Sequence, residues 1–151
     1  AQAVQLFDSW AGHLSPEDYD EFVLPYQQKV VKSIKEEAPD APLILYINKA
    51  GAVLERMAQS GVDVISLDWT MTIPEARKRL ALSTNRRIAI QGNLDPAVLL
   101  GPQSLIQQRT EEILKQAGGR DHIMNLGHGI ERDTPEENAK FFVDLVKKYK
   151  L

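Results

Sequence analysis

The chain contains no cysteine. A disulfide scaffold, a thiolate metal site and a thiol nucleophile are therefore all excluded. Aromatic residues are sparse at 7%, and charge of neither sign dominates, with 18 basic against 21 acidic side chains. A net charge of −3 supplies no surface for nucleic acid or an anionic membrane, so neither partner is expected. No apolar run approaches the ~20 residues that a membrane-spanning helix needs, and the first residues do not read as a signal peptide. The glycine patterns that cradle dinucleotides and phosphates, G-x-G-x-x-G and the P-loop, are missing. His13, His122 and His128 lie in no HExxH or comparable ligand spacing, so no metal is expected.

What is present is ordinary globular material. The 151 residues, 43% of them hydrophobic, suit one domain, and a chain of this size buries roughly 70% of its unfolded surface. A soluble intracellular protein is the expectation. The opening Ala1-Gln2-Ala3-Val4-Gln5-Leu6-Phe7 already reads as a half-buried strand without lead-in, which suggests the downstream part of a longer protein.

Short apolar runs alternate with amphipathic segments five times. Strands are predicted at residues 3–8, 43–47, 62–67, 87–91 and 122–126. Ser15-Pro16-Glu17-Asp18 supplies an N-cap, a first-turn proline and acids. One long helix is predicted from there to about Glu37, burying Phe22, Tyr26, Val30 and Ile34. A short helix follows Gly51, carrying Val53, Leu54 and Met57, and further helices are predicted at residues 72–82 and 103–117. The last helix repeats the capping pattern as Thr134-Pro135-Glu136-Glu137 and turns Phe141, Phe142, Leu145 and Val146 inward. Apolar strands separated by helices imply parallel pairing. The pattern fits an open α/β sheet or about five of the eight units of a (β/α)8 barrel, since a full barrel needs at least ~200 residues.

In parallel α/β folds the site forms at the carboxyl ends of the strands. Those ends carry Ser9 and Trp10, Asn48 and Lys49, Asp68 to Thr70, Gln91 with Asn93 and Asp95, and Asn125 with His128. His128 stands between two glycines, either as a donor or proton-transfer group for an anionic substrate or as a turn histidine capping backbone. Asp68 either binds a positive group or satisfies loop amides. Asn93-Leu94-Asp95-Pro96 reads better as a helix-entry turn than as a pocket wall. Ser9 and His13 suggest a nucleophile and base only by spacing, and no G-x-S-x-G elbow surrounds Ser9. Lys49 reads as a surface lysine rather than a Schiff-base former.

Five stretches together resemble the uroporphyrinogen decarboxylase family: AQAVQLFDSWAGHL at residues 1–14, LPY at 24–26, GVDVISLDWT at 61–70, QGNLDP at 91–96 and NLGHG at 125–129. Their order fits the carboxyl-terminal part of that family from end to end, and the LPYQQ and PEEN runs lean towards cyanobacterial and plastid members. The resemblance implies the carboxyl-terminal portion of a single-domain (β/α)8 TIM barrel, homodimeric and working without cofactor. It implies removal of carbon dioxide from the four acetate side chains of uroporphyrinogen III, giving coproporphyrinogen III. Protonating a pyrrole carbon makes the substrate its own electron sink, the task a pyridoxal cofactor performs elsewhere.

By the same resemblance Ser9 contacts a substrate carboxylate, and His128 is the catalytic candidate that binds or protonates near one. The family's pyrrole-binding aspartate, its arginines and a tyrosine would fall before Ala1. The compartment implied is the plastid stroma for a eukaryotic phototroph and the cytoplasm otherwise. Asn48-Lys49-Ala50-Gly51 departs from the small turn of plant-like members. A corrinoid-linked methyltransferase of the same superfamily would need zinc held with cysteine, which is absent. A non-catalytic fragment that binds tetrapyrrole or pairs with another chain is the other alternative. Five units alone would expose two sheet edges and an apolar interior.

Overall fold

The computed structural model describes residues 1–150. Five short strands form one parallel sheet: β1 (Val4–Phe7), β2 (Leu43–Tyr46), β3 (Val64–Ser66), β4 (Ala89–Gln91) and β5 (His122–Ile123). The helices between and after them are α1 (Pro16–Phe22), α2 (Leu24–Glu37), α3 (Leu54–Gln59), α4 (Ile73–Ser83), α5 (Gln103–Ala117) and α6 (Glu136–Lys148). Strand order in the sheet is strand order in the chain. A doubly wound sheet reverses direction so that helices cover both faces. Nothing reverses here, so right-handed crossovers lay every helix on the same face. Consecutive helices accordingly pack on one another, from α1 on α2 to α5 on α6. That is the winding of a (β/α)8 barrel, and five of its units are present.

Period-two alternation gives the sheet two different faces. Leu43, Leu45, Ile65 and Ile90 point outward and join Val31, Leu54, Met57, Ile73 and Leu80 in the main core. A smaller cluster of Leu94, Leu99, Ile106 and Phe142 ties the 3-10 turn Pro96–Leu100 to α5 and α6. The inner face carries Gln5, Ile44, Tyr46, Val64, Ser66 and Gln91. The apolar interior that the sequence leads one to expect is thus corrected: the inner face turns polar towards the carboxyl ends. Accessible surface is 8833 Å², against about 7,700 Å² for a closed monomer of this mass. The excess is what an unclosed sheet leaves uncovered, including Phe7, 68% exposed at the β1 edge.

Three sequence expectations are corrected. The long first helix is two, broken at Val23. Pro25 is the cause, because it lacks an N–H and its ring would clash with the Glu21 carbonyl in a continuous helix. Placed in the first turn of α2, it costs nothing. The break rotates the buried face, so Tyr19, Leu24, Gln27 and Val31 are covered while Phe22, Tyr26 and Val30 are exposed; Ile34 packs on the core as expected. The Ser15 cap is real, its hydroxyl accepting the Asp18 N–H at 3.1 Å. Thr134 caps nothing: Pro135 takes the N-cap place and the Thr134 hydroxyl is buried without a partner among the described residues. Strands are shorter than predicted, although flanking bonds such as Asp63 N–H to the Leu43 carbonyl (3.0 Å) extend the ladder.

Candidate functional site

The strand registers place Phe7, Tyr46, Ser66, Gln91 and Ile123 in one row across the inner face, at its carboxyl end. Above this row the loop after β5 folds inward, and between them lies a cavity of about 300 Å³. Its floor is Gln5, Phe7, Tyr46, Ser66 and Gln91; its rim is Asn125, Leu126 and residues 128–130. The floor is hydrogen-bonded within itself. Gln91 Nε2 donates to Ser66 Oγ at 3.0 Å and to Gln5 Oε1 at 3.2 Å.

Tyr46 ties floor to rim. Its hydroxyl donates to the Gly127 carbonyl at 3.1 Å, and its ring meets the His128 ring edge to face, with centroids 5.9 Å apart. Burial, with the negative charge of Asp68 adding to it, pushes the phenol up to about 12. Tyr46 is therefore a neutral donor throughout the physiological range. The rim is held further by Gly127 N–H to the Leu94 carbonyl at 2.7 Å and Leu94 N–H to the Asn125 carbonyl at 3.1 Å.

His128 is exposed on this rim. Its Nδ1 accepts the Gly129 N–H at 2.7 Å. In the neutral ring the proton therefore sits on Nε2, which donates to no protein atom among the described residues. A substrate oxygen can take that bond. Of the two flanking glycines, only Gly127 answers a steric demand: a Cβ there would stand 2.9 Å from Trp69 N and 3.0 Å from Asp68 Cα. What approaches it closely is the chain's own β3 loop.

The other strand-end residues separate cleanly. Asp68 is buried and accepts from Lys49 N–H, from Thr70 N–H at 2.8 Å and from the Thr70 hydroxyl, so it satisfies loop amides. Asn93 donates to the carbonyls of Asp68 (2.7 Å) and Met71 (2.6 Å). Asp95 caps the turn at Pro96–Leu100 through Ala97 N–H at 2.9 Å. These are loop-building residues, as the Asn-Leu-Asp-Pro pattern suggests. The Lys49 side chain is exposed.

Ser9 follows β1 at the same end of the sheet, half-buried, and does not line the His128 cavity. The structure therefore puts Ser9 and His128 on one rim without joining them in one hollow. His13 makes no pair with Ser9; its ring stacks on Trp10, centroids 5.4 Å apart. Asp8, preceding Ser9, accepts from Gln27 Nε2 at 3.0 Å, and Gln27 in turn accepts from the Tyr19 hydroxyl. Among the described residues no three His, Asp or Glu side chains converge on a metal position. Among the described residues no Lys or Arg lines the cavity.

Sequence reasoning missed Gln5, Tyr46 and Ser66. The available signal was register rather than motif: Tyr46, Ser66 and Gln91 each end an otherwise apolar strand, and those three positions pair with one another.

Comparison with known proteins shows the family. The family model described as uroporphyrinogen decarboxylase (URO-D) matches residues 1–149. Uroporphyrinogen decarboxylase of Microcystis aeruginosa is 54% identical over 149 residues, covering 99% of this chain and 41% of the relative. That of Synechocystis is 54% identical over 148 residues, 98% of this chain and 41% of the relative. That of Prochlorococcus marinus is 55% identical over 147 residues, 97% and 41% respectively. The chain thus spans about two fifths of the length of the curated relatives it matches. Among solved structures, a methyltransferase from Methanosarcina mazei superposes with a TM-score of 0.80 at 23% identity, covering 97% of this chain and 42% of its own. At that identity the likeness is one of fold.

Proposed function

The chain belongs to the uroporphyrinogen decarboxylase family, and from that premise we propose that it forms the five-unit carboxyl-terminal portion of a (β/α)8 barrel that decarboxylates uroporphyrinogen III. The product is coproporphyrinogen III, after loss of four acetate carboxyls. The match across residues 1–149 is the observation that carries this reading.

The cavity supports it in a specific way. A macrocycle bearing eight carboxylates is larger than a hollow of about 300 Å³, and it needs cations that the lining does not contain. This chain therefore supplies one wall, and the length by which the relatives exceed it supplies the rest. On that wall His128 Nε2–H donates to a substrate carboxylate, and Ser9 positions a second one from across the rim. Tyr46, bonded to Gly127, holds the histidine loop. No metal or organic cofactor takes part, because the protonated pyrrole accepts the electrons that departing carbon dioxide leaves. The assembly is a homodimer acting in the cytoplasm, or in the stroma where a plastid houses the pathway; no helix among the described residues is long and apolar enough to cross a membrane.

The test is anaerobic conversion of uroporphyrinogen III, with product carboxylates counted after oxidation to porphyrins. The chain is assayed alone and as a chimera carrying the remaining length of the Microcystis aeruginosa relative. Stepwise loss of four carboxylates by the chimera is expected. His128→Ala in it should lower kcat/KM about 10- to 100-fold, the worth of one charge-assisted hydrogen bond. Unchanged turnover and intermediate pattern in that variant would remove His128 from the mechanism. An inactive chimera that folds would favour a tetrapyrrole-binding relative over an enzyme.

A further inference from the structure

At the amino-terminal end of the sheet, opposite the His128 cavity, lies a second hollow of about 280 Å³. It is bounded by α4, the residues leading into β4 and the loop between α5 and β5. Four arginines line it, Arg77, Arg86, Arg87 and Arg120, with Asp121 as the one carboxylate among the described residues.

Two of the arginines are clamped to backbone. Arg77 donates to the carbonyls of Ala117 (2.6 Å) and Arg120 (2.5 Å). Arg86 donates to those of Gly61 and Val62, both at 3.0 Å, and to Ala58 at 3.4 Å. Carbonyls occupy N–H donors but cancel no net charge. Arg87 pairs with Asp121 at 2.6 Å. The Arg87 hydrogen bond, together with the fields of Arg77 and Arg120, holds the Asp121 carboxyl below its ordinary 3.8. Asp121 is thus paired with Arg87 alone and lies in the field of two further guanidinium groups. The Arg120 guanidinium donates to no protein acceptor among the described residues. Just beyond, Asp63 feels Arg86 but is already bonded to Lys35 at 2.6 Å. Four cations against one carboxylate leave the hollow with a net charge of +3.

We infer that this hollow binds a compact multivalent oxyanion, of phosphate or polycarboxylate chemistry, remote from the carboxyl-end site. Helix capping accounts for Arg77 and Arg86 but requires neither Arg87 nor Arg120. The guanidinium fork matches phosphate and carboxylate oxygens in pairs. Because backbone carbonyls already fix two of the forks, less conformational entropy is lost on binding than a set of free side chains would lose.

The test is calorimetric titration of the chain with pyrophosphate and, separately, citrate at low ionic strength. We expect one-to-one binding of at least one of them, weakening as salt is added. The stronger of the two identifies the phosphate or the polycarboxylate source. Arg87→Gln with Arg120→Gln should weaken binding about tenfold or more. Both side chains are exposed, so the fold, followed by far-UV circular dichroism, should persist. Arg87→Lys with Arg120→Lys should retain part of the affinity. Arg109→Gln, which removes an arginine paired with Glu112 elsewhere, should leave it unchanged. Amide shifts on anion addition should centre on Ile88 and Asp121. Absence of binding to both anions, equal binding by the double Gln variant, or shifts confined to other loops would each overturn the proposal.

Discussion

Gly12, in the 3-10 turn Ala11–His13, and Gly129, in the loop after β5, both belong to matched motifs, yet they answer different demands. A Cβ on Gly12 would stand 1.9 Å from the Asn48 carbonyl oxygen, a backbone atom that cannot step aside. A Cβ on Gly129 would meet nothing within 4 Å among the described residues beyond its chain neighbours. Gly12→Ala should therefore cost about 1–3 kcal/mol or more, the range of overpacking, while Gly129→Ala stays within about 0.5 kcal/mol. Urea unfolding of the two variants checks the contrast. Tyr46→Phe tests the link between floor and rim. Loss of the bond to the Gly127 carbonyl should cost about 0.5–1.5 kcal/mol of stability. In an active chimera it should raise KM more than it lowers kcat, because the His128 loop is loosened rather than removed; an unchanged KM would deny Tyr46 that role. At this scale the sequence shows where His128 sits, on the rim after β5, since a histidine between glycines after a strand is a local pattern. It does not show Tyr46, whose role depends on a contact 81 positions away.

Elements were legible wherever the signal was local and unopposed. α5 occupies Gln103–Ala117, the residues its periodicity and the Gly118-Gly119 stop predict. Where the sequence predicts one first helix the structure has two, because the amphipathic run is interrupted by Pro25, whose missing N–H fixes where a new helix begins. The two Ser/Thr-Pro-Glu patterns show why a cap motif needs its backbone. Ser15 is extended, with φ −62 and ψ 157, and reaches the Asp18 N–H. Thr134 sits one residue too early, with Pro135 in the capping place. Ser15→Ala should destabilise by about 1 kcal/mol. Thr134→Val removes a buried hydroxyl with no partner among the described residues and should be neutral or stabilising. Thermal melts check the contrast: a lowered midpoint for Ser15→Ala and an unchanged or raised one for Thr134→Val, from identical sequence logic.

For the whole molecule, buried and half-buried titratable groups with shifted pKa values bear on the pH range over which the fold holds. On the acid side, burial lowers His122 below its ordinary 6.5, with the Arg77 charge assisting, while its Nε2 stays bonded to the Gly92 carbonyl at 2.6 Å. Below 6.5 the unfolded chain takes up a proton that the folded chain resists, so stability falls as pH drops from there through the folded value. Two carboxyls add a second acid loss. Glu55 is held below 4.5 by its hydrogen bonds to Arg79. Burial acts to raise Asp63, but its bonds to Lys35 and Leu43 N–H outweigh that and keep it below 3.8. Their contributions are complete above those ordinary values and disappear as pH falls through the lowered ones. On the alkaline side the sign reverses. Tyr46, raised from 10.0 to about 12, contributes fully below 10.0, and its contribution is lost as pH rises through 12. Urea midpoints should therefore be flat between about 7 and 10, and fall on either side in steps that separate groups can be assigned to. His122→Gln, which keeps an N–H for the Gly92 carbonyl but cannot titrate, should abolish the decline between about pH 7 and 5 and leave the carboxylate and tyrosine arms in place. A decline of unchanged size in that variant would mean that the acid loss between those values arises elsewhere, and that the carboxyl-end loops do not depend on a neutral imidazole beneath Gly92.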